Sequence, residues 1–233
     1  MFRESGTRPP RALPSSGRQI PWRYADAAAG SRSSDPPAGS NARVRRLLLV
    51  RHAPTSATRA FAFPADEPLD ERARADAEAL ATAIPGRFAV LCSPARRCRE
   101  TAAAARLADA QIEPDLAECD FGAWTGQTLK DVSAADADAV ASWVADPAAC
   151  PHGGESLAAF AARVGTWLDG QAALDGGAVA ITHGGVVKAA VAHALKAPIE
   201  AFWQIDASPL AITELHAHDG RWTVTRVNCA VTG

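Results

Sequence analysis

Two short apolar runs, each ending in a histidine, constrain the fold of this chain more than any other feature. The first covers residues 47–50 and leads into Arg51 and His52, and the second covers residues 178–182 and leads into His183 and Gly184. Runs of this length bounded by turn signals are typical of buried strands. Because ligands bind beyond the carboxyl ends of strands in open α/β sheets, both histidines are expected at one crevice.

Strand and helix patterns alternate from residue 44 onward. Apolar residues recur with helical spacing over residues 70–84, with Asp70 as the predicted N-cap, and Ser93 is predicted to cap a second helix. Asp219 and Gly220 predict the turn of a hairpin near the end of the chain. The alternation favours an α/β fold, a three-layer sandwich with a mostly parallel central sheet and helices on both faces.

Composition divides the chain into two parts. Residues 1–44 are rich in Pro, Ser, Gly and Arg and are predicted to be a disordered basic N-terminal extension, whereas residues 45–233 form the folded domain. Nine arginines against three acidic residues give residues 1–46 a charge of +6, which leaves −8 on the rest. An acidic body argues against a nucleic-acid partner, so an anionic ligand must be bound by a local cluster of positive charge.

The cysteines and the hydropathy pattern indicate the cellular compartment of the chain. The five cysteines are odd in number and contain no C-x-x-C pair, which favours reduced thiols and a cytoplasmic protein over disulfides or a metal site. No apolar run reaches the roughly 18–20 residues of a membrane helix, so no membrane partner is expected.

Four clusters carry residues that suit phosphoryl chemistry. Arg51 and His52 offer a fork of donors and a nucleophilic imidazole, and His183 and Gly184 precede a predicted helix N-terminus that favours anions. The other two clusters offer alternatives that spacing does not resolve. Arg96, Arg97 and Arg99 cannot all face one crevice when successive helical residues point about 100° apart, and either Glu118 or Asp120 is a candidate general acid.

In this order the four clusters, together with the segment 151–156, resemble the histidine phosphatase superfamily, also called the phosphoglycerate-mutase-like superfamily. The similar stretches are 51–55, 93–102, 116–126, 151–156 and 182–185, and Ala53 stands where the family usually has glycine. The resemblance implies that His52 is the nucleophile, Glu118 the proton donor and His183 a further catalytic residue. It also implies that Arg51, Arg97, His183 and the Gly184 N–H bind the phosphate.

The function that the resemblance implies is a metal-independent phosphomonoesterase that acts on a small-molecule phosphate ester through a phosphohistidine, without a cofactor. Among family members, α-ribazole phosphatases have a similar opening motif. Thr55, Thr58 and Glu155 are candidate substrate contacts, whereas Trp143, Phe160 and Trp203 are predicted to be core residues from their helical spacing.

The same scaffold supports three other functions. A phosphoglycerate mutase would carry a longer insertion after the arginine cluster and a Trp-Asn pair near the first histidine, which the chain lacks. A non-catalytic module that binds a phospho-ligand would have lost a core catalytic residue, and a phosphohistidine protein phosphatase would be smaller and lack the loop that carries Glu118. A homodimer is left open by the sequence.

Overall fold

The computed structural model describes residues 44–231, and their central feature is one mixed sheet between two helical layers. The predicted disordered extension of residues 1–44 lies outside the described residues, apart from Val44. Within the described part the sheet has the strand order β3-β2-β4-β1-β5-β6. The strands, in chain order, are β1 (Val44–Arg51), β2 (Ala89–Cys92), β3 (Gln111–Ile112), β4 (Gly176–Thr182), β5 (Ile212–His218) and β6 (Arg221–Cys229).

The strands β1 to β4 run parallel to one another, β5 pairs antiparallel with β1, and β6 pairs antiparallel with β5. Asp219 and Gly220 both have positive φ, 48° and 76°, as a two-residue hairpin turn requires, so the predicted hairpin is confirmed. The predicted α/β sandwich with a mostly parallel sheet is likewise confirmed.

The helices of the described part connect the parallel strands and cover the sheet. They are α1 (Ser56–Ala60), α2 (Glu71–Ala77), α3 (Leu80–Ala83), α4 (Arg96–Ala104), α5 (Leu129–Ala135), α6 (Ala137–Ala145), α7 (Leu157–Ala172) and α8 (Gly184–Ala194). Short 3₁₀ turns occur at Pro114–Leu116, Gly122–Trp124 and Ile199–Gln204. None of these helices is long and apolar enough to cross a bilayer.

The core has two halves because successive side chains of a strand point to opposite faces of the sheet. Leu47 and Leu49 of β1 pack into the cluster that contains α7 and α8, whereas Leu48 and Val50 pack into the cluster that contains α3 and α4. Burial of a leucine or valine side chain contributes roughly 1.5–3 kcal/mol. Both faces of β1 are covered by helices, and this explains why the apolar run 47–50 is continuous.

The helix predicted over residues 70–84 is two helices in the structure. Asp70 accepts a hydrogen bond from the Ala73 N–H at 2.8 Å, which confirms it as an N-cap. The helical pattern is interrupted at Glu78 and Ala79, and its two segments are α2 and α3. Ala53 packs against Leu69 and Ala73 and lies outside the left-handed region, so alanine at this position needs no backbone strain.

Candidate active site

Sheet register brings the two distant histidines together. Arg51 pairs with Thr182 in the parallel ladder between β1 and β4, and the His52 N–H donates to the Thr182 carbonyl at 2.8 Å. The rings of His52 and His183 then lie edge to face, with 5.3 Å between their centroids. Both side chains are buried, so the carboxyl edge of the sheet holds two imidazoles away from bulk water.

Arg97 joins the two imidazoles. Its Nε–H donates to His52 Nε2 at 3.2 Å, one terminal N–H group lies 3.1 Å from His183 Nδ1, and the other donates to the Ala65 carbonyl at 2.9 Å. Arg97 is only 4% exposed, whereas Arg96 and Arg99 are exposed. The helical turn of α4 therefore points one of the three arginines at the site.

The hydrogen bonds define which nitrogen of each ring carries the proton. His52 Nδ1 lies 2.7 Å from the Ala53 carbonyl, which can only accept, so Nδ1–H is the donor and Nε2 keeps its lone pair. His183 Nδ1 faces a donor of Arg97, so its Nε2–H donates to the Ser93 hydroxyl at 2.7 Å. His52 thus presents an unprotonated nitrogen to the cationic side of the site.

Burial keeps both rings neutral. It lowers the pKa of His52 to about 3, and the neighbouring charges of Arg97 and Arg51 act in the same direction, against the opposing bond to the Ala53 carbonyl. Burial and the same two arginines hold the pKa of His183 well below its usual value. Neutral imidazole is the form that can act as a nucleophile.

Acidification is therefore expected to destabilise the folded chain through His52. Between the ordinary pKa of 6.5 and about 3, the unfolded chain binds a proton that the folded chain excludes. The contribution of His52 to the free energy of unfolding is complete above the unfolded pKa and falls by about 1.4 kcal/mol per pH unit below it. Urea unfolding at pH 7 and pH 5 checks this. Between these pH values, the free energy of unfolding of His52→Gln is expected to fall by about 2 kcal/mol less than that of wild type.

The matched control for this measurement is His193→Gln, which removes an exposed imidazole of α8 that is bonded to Asp169. This variant should not reproduce the gain in acid stability of His52→Gln. An identical pH dependence in wild type and His52→Gln would show that His52 is not held neutral by the fold.

Ser93 has a different role from the one predicted. It does not cap α4, because that helix begins at Arg96 with Ala95 as its N-cap residue and without a side-chain cap. The Ser93 N–H instead donates to the Ile181 carbonyl at 3.0 Å, which extends the ladder between β2 and β4. The expectation was wrong because Ser93, directly after β2, is still bonded to β4, and its hydroxyl meets the ring of His183.

Arg51 offers an unused donor to the site. Its terminal N–H donates to the Ala207 carbonyl at 2.7 Å, but its buried Nε–H has no hydrogen-bond partner among the described residues. A Cβ on Gly184 would come within 3.3 Å of that nitrogen, so the guanidinium lies against the N-terminus of α8. A buried N–H without a partner is costly, and a bound anion would satisfy it.

Glu118 is held at the same helix N-terminus. The Gly185 N–H donates to its Oε2 at 3.2 Å, and the Cys119 N–H donates to its Oε1 at 3.1 Å. A Cβ on Gly185 would overlap this carboxylate, so glycine leaves the space that Glu118 occupies. The alternative acid, Asp120, is exposed and accepts from the Gly122 N–H at 2.9 Å, which closes a turn of the loop.

Of the three candidate substrate contacts, only Thr58 lines the pocket next to His52. Thr55 is fully buried, and its hydroxyl caps α1 and donates to Glu67 at 2.8 Å. Glu155 forms a two-pronged ion pair with Arg163, at 3.0 and 2.7 Å. Thr55 and Glu155 are both engaged by partners within the chain, and the structure does not bring either to the pocket.

Two adjoining pockets open on this site. The phosphate-side pocket contains His52, Thr58 and Glu67, and it shares Arg51, Glu118 and Phe121 with the second pocket. We call the second pocket the aromatic cleft, and its further lining includes Trp143, Phe160, Lys188, Phe202 and Trp203. The shared residues mark the place where the two pockets meet.

The aromatic cleft corrects the prediction that its rings are core residues. Phe160 is 1% exposed and belongs to the core, but Trp203 is 38% exposed and Trp143 is half-buried. Sequence reasoning also missed Lys188 and Glu67. Lys188 lies four residues after Gly184, so helical spacing alone would have placed both on one face of α8, whereas nothing local marks Glu67.

The described residues contain no group of three or more His, Cys, Asp or Glu side chains arranged to hold a metal ion.

Comparisons with known proteins define the family. Residues 47–230 match the model of the histidine phosphatase superfamily (branch 1). Adenosylcobalamin/alpha-ribazole phosphatase of Escherichia coli K12 is 31% identical over 168 residues, which cover 68% of this chain and 83% of that protein. The structure of a mycobacterial glucosyl-3-phosphoglycerate phosphatase matches with a TM-score of 0.71 and 27% identity, over 81% of this chain and 100% of that one.

A bifunctional protein of Mycobacterium tuberculosis H37Rv is 31% identical over 202 residues, which are 82% of this chain. They are only 55% of that relative, so the chain spans about half of its length. This chain belongs to the histidine phosphatase superfamily, branch 1. The resemblance predicted from the motifs is confirmed at the level of the family.

Proposed function

We propose that this chain hydrolyses the phosphate monoester of a small molecule in two steps, with His52 as the nucleophile and Glu118 as the proton donor. The observation that carries the proposal is the state of His52. Its Nδ1–H is bound to the Ala53 carbonyl, and its Nε2 lone pair faces the guanidinium of Arg97. Phosphatase names among the family relatives support the same activity.

In the first step, His52 Nε2 attacks phosphorus in line and the bond to the ester oxygen breaks. Arg97 turns its N–H groups from the imidazoles to the phosphoryl oxygens, and the free Nε–H of Arg51 adds a donor. Glu118, in its protonated form, gives its proton to the departing alkoxide. Fixed positive charge around the transferring group supplies most of the catalysis, which is positioning and electrostatic stabilisation.

In the second step, the alcohol leaves and water takes its place. The Glu118 carboxylate now accepts a proton from this water, whose oxygen attacks the phosphorus of phosphohistidine. The P–N bond breaks, the electron pair returns to His52 Nε2, and inorganic phosphate is released. The Gly184 N–H at the start of α8 adds a donor to the phosphoryl oxygens, and His183 adds another when its Nδ1 takes up a proton beside the bound dianionic ester.

The proposed steps need no metal ion, because Arg51 and Arg97 neutralise the phosphoryl group. A cytoplasmic location stays a prediction from the cysteine pattern. The names of the relatives point to small-molecule esters as the substrate class.

Stereochemistry at phosphorus tests the two-step reaction independently of how much intermediate accumulates. Two successive in-line displacements retain configuration, whereas direct attack of water inverts it. Hydrolysis of a chiral, isotopically labelled phosphate ester in labelled water is therefore expected to give inorganic phosphate of retained configuration. Inversion would eliminate His52 as a covalent nucleophile, and the absence of turnover with any monoester would eliminate the phosphatase activity itself.

A further inference from the structure

The aromatic cleft lies where the leaving group of the proposed reaction must lie. It shares Arg51 and Glu118 with the phosphate-side pocket, and Glu118 is the residue that protonates the leaving oxygen in that reaction. The part of the ester beyond this oxygen therefore extends into the cleft. Its chemistry should match the walls of the cleft.

Those walls are aromatic and partly open to solvent. Trp143 and Trp203 meet edge to face with 5.1 Å between ring centroids, and Phe202 meets Trp203 in the same way at 5.1 Å. Indole rings in a pocket provide large, rigid apolar contact areas and favour stacked or edge-to-face contacts with another ring. A planar aromatic group fits such walls better than a hydroxyl-rich sugar, whose polar groups would lose hydrogen bonds to water.

Lys188 adds a positive charge to these walls. Its ammonium lies 5.4 Å from the centre of the Phe202 ring, and its side chain is half-buried. Within residues 44–231 it forms no hydrogen bond or ion pair. Burial lowers the pKa of Lys188, and among its acidic neighbours Asp206 opposes this most. The Asp206 carboxylate accepts hydrogen bonds from the Ala207 N–H at 2.8 Å and from the Asn228 side-chain amide at 3.0 Å.

Because the half-buried ammonium has no direct ion pair among the described residues, its charge is only partly compensated, and an anion on the ligand would improve its environment. Arg51 is the other cation that lines the cleft, but it is bound to the Ala207 carbonyl and, in the proposed reaction, to the phosphate, which leaves Lys188 for an anion on the leaving group.

We propose that the aromatic cleft selects an aryl phosphate whose ring carries a carboxylate, with the ring against Trp143 and Trp203 and the carboxylate bound to Lys188. This inference rests on the phosphatase activity proposed above. It assigns the substrate class through the leaving group and leaves the chemistry at phosphorus unchanged.

Paired esters test the inference. 4-Carboxyphenyl phosphate and its neutral primary amide have the same shape, so the ratio of their kcat/KM values, compared between wild type and Lys188→Met, reports the charge of the carboxylate. At pH 7 the wild-type ratio is expected to be about 10, the size typical of one charge-assisted hydrogen bond. Lys188→Met should bring the ratio close to 1, and Lys188→Arg should keep most of it.

Lys130→Met is the matched control, because it removes the same charge from an exposed position of α5 and should keep the wild-type ratio. A ratio close to 1 in wild type, or an unchanged ratio in Lys188→Met, overturns the assignment of the cleft while the hydrolysis of phenyl phosphate still supports the phosphatase. Failure to hydrolyse any of the three esters overturns the proposed function instead.

Binding without turnover provides a second measurement. 4-Hydroxybenzoate is expected to quench the fluorescence of Trp143 and Trp203 at lower concentrations than 4-hydroxybenzamide does. This difference should disappear in Lys188→Met. Equal quenching by the two ligands in wild type would count against the cleft even if every ester were hydrolysed.

Discussion

Replacing His52 with glutamine is expected to lower kcat/KM for p-nitrophenyl phosphate by at least about 10⁴-fold, the order of loss seen when a covalent nucleophile is removed. The glutamine amide can fill the space of the ring and accept the Nε–H of Arg97, so the arginine keeps a partner. The amide is not nucleophilic, however, and no phosphohistidine can form. Steady-state hydrolysis measured on the folded variant checks this expectation.

The fold of this variant is verified by circular dichroism and urea unfolding, since a misfolded chain would also lose activity. His193→Gln, far along α8 from the site, provides the control and should keep wild-type kcat/KM. If His52→Gln retained more than a few per cent of wild-type activity, the imidazole of His52 would not be the group that attacks phosphorus.

Glu118→Gln is expected to slow the hydrolysis of an alkyl phosphate by about 10³-fold in kcat/KM, within the range of a general acid, and that of p-nitrophenyl phosphate by less than about tenfold. An alkoxide leaves poorly without a proton, whereas p-nitrophenolate leaves unaided. We choose kcat/KM because it reports the steps up to the first phosphoryl transfer and excludes the later attack of water. Equal slowing of both esters would show that Glu118 does not protonate the leaving group.

Gly185→Ala provides a second variant for the same prediction without changing any charge. The new Cβ would overlap the Glu118 carboxylate and force it away from the N-terminus of α8. The same dependence on the leaving group is therefore expected. Gly170→Ala is the matched control, because no atom lies within 4 Å of its new Cβ on the exposed face of α7.

The convergence of the site could be predicted from the sequence because it depends on strand ends. Apolar runs identify β1 and β4, and parallel strands deliver the residues that follow them to one edge of the sheet. The choice of Arg97 among three arginines could not be made from spacing. It came from the family resemblance, and the structure provides its physical reason, since Arg97 alone of the three is buried against both imidazoles.

The remaining site residues depend on contacts between distant segments. Ser93 has the local pattern of a helix cap, but its N–H is bonded to the Ile181 carbonyl of β4. Glu155 is engaged over a shorter separation, because it lies just before α7 and binds Arg163 within that helix. Trp143 and Trp203 have the spacing of core residues, and only the packing of α6 near the segment Ile199–Gln204 places them at a cleft.

The bond from the His52 N–H to the Thr182 carbonyl, at the end of the ladder between β1 and β4, orients the imidazole through the central strands of the sheet. Trp143 and Trp203 stand on α6 and on the 3₁₀ segment Ile199–Gln204, outside that ladder. In the proposed reaction, the nucleophile and the residues that select the leaving group therefore lie on different segments of the chain. Substitutions at the two tryptophans, by evolution after gene duplication or by engineering, can therefore change the ester that is accepted without changing the position of the imidazole.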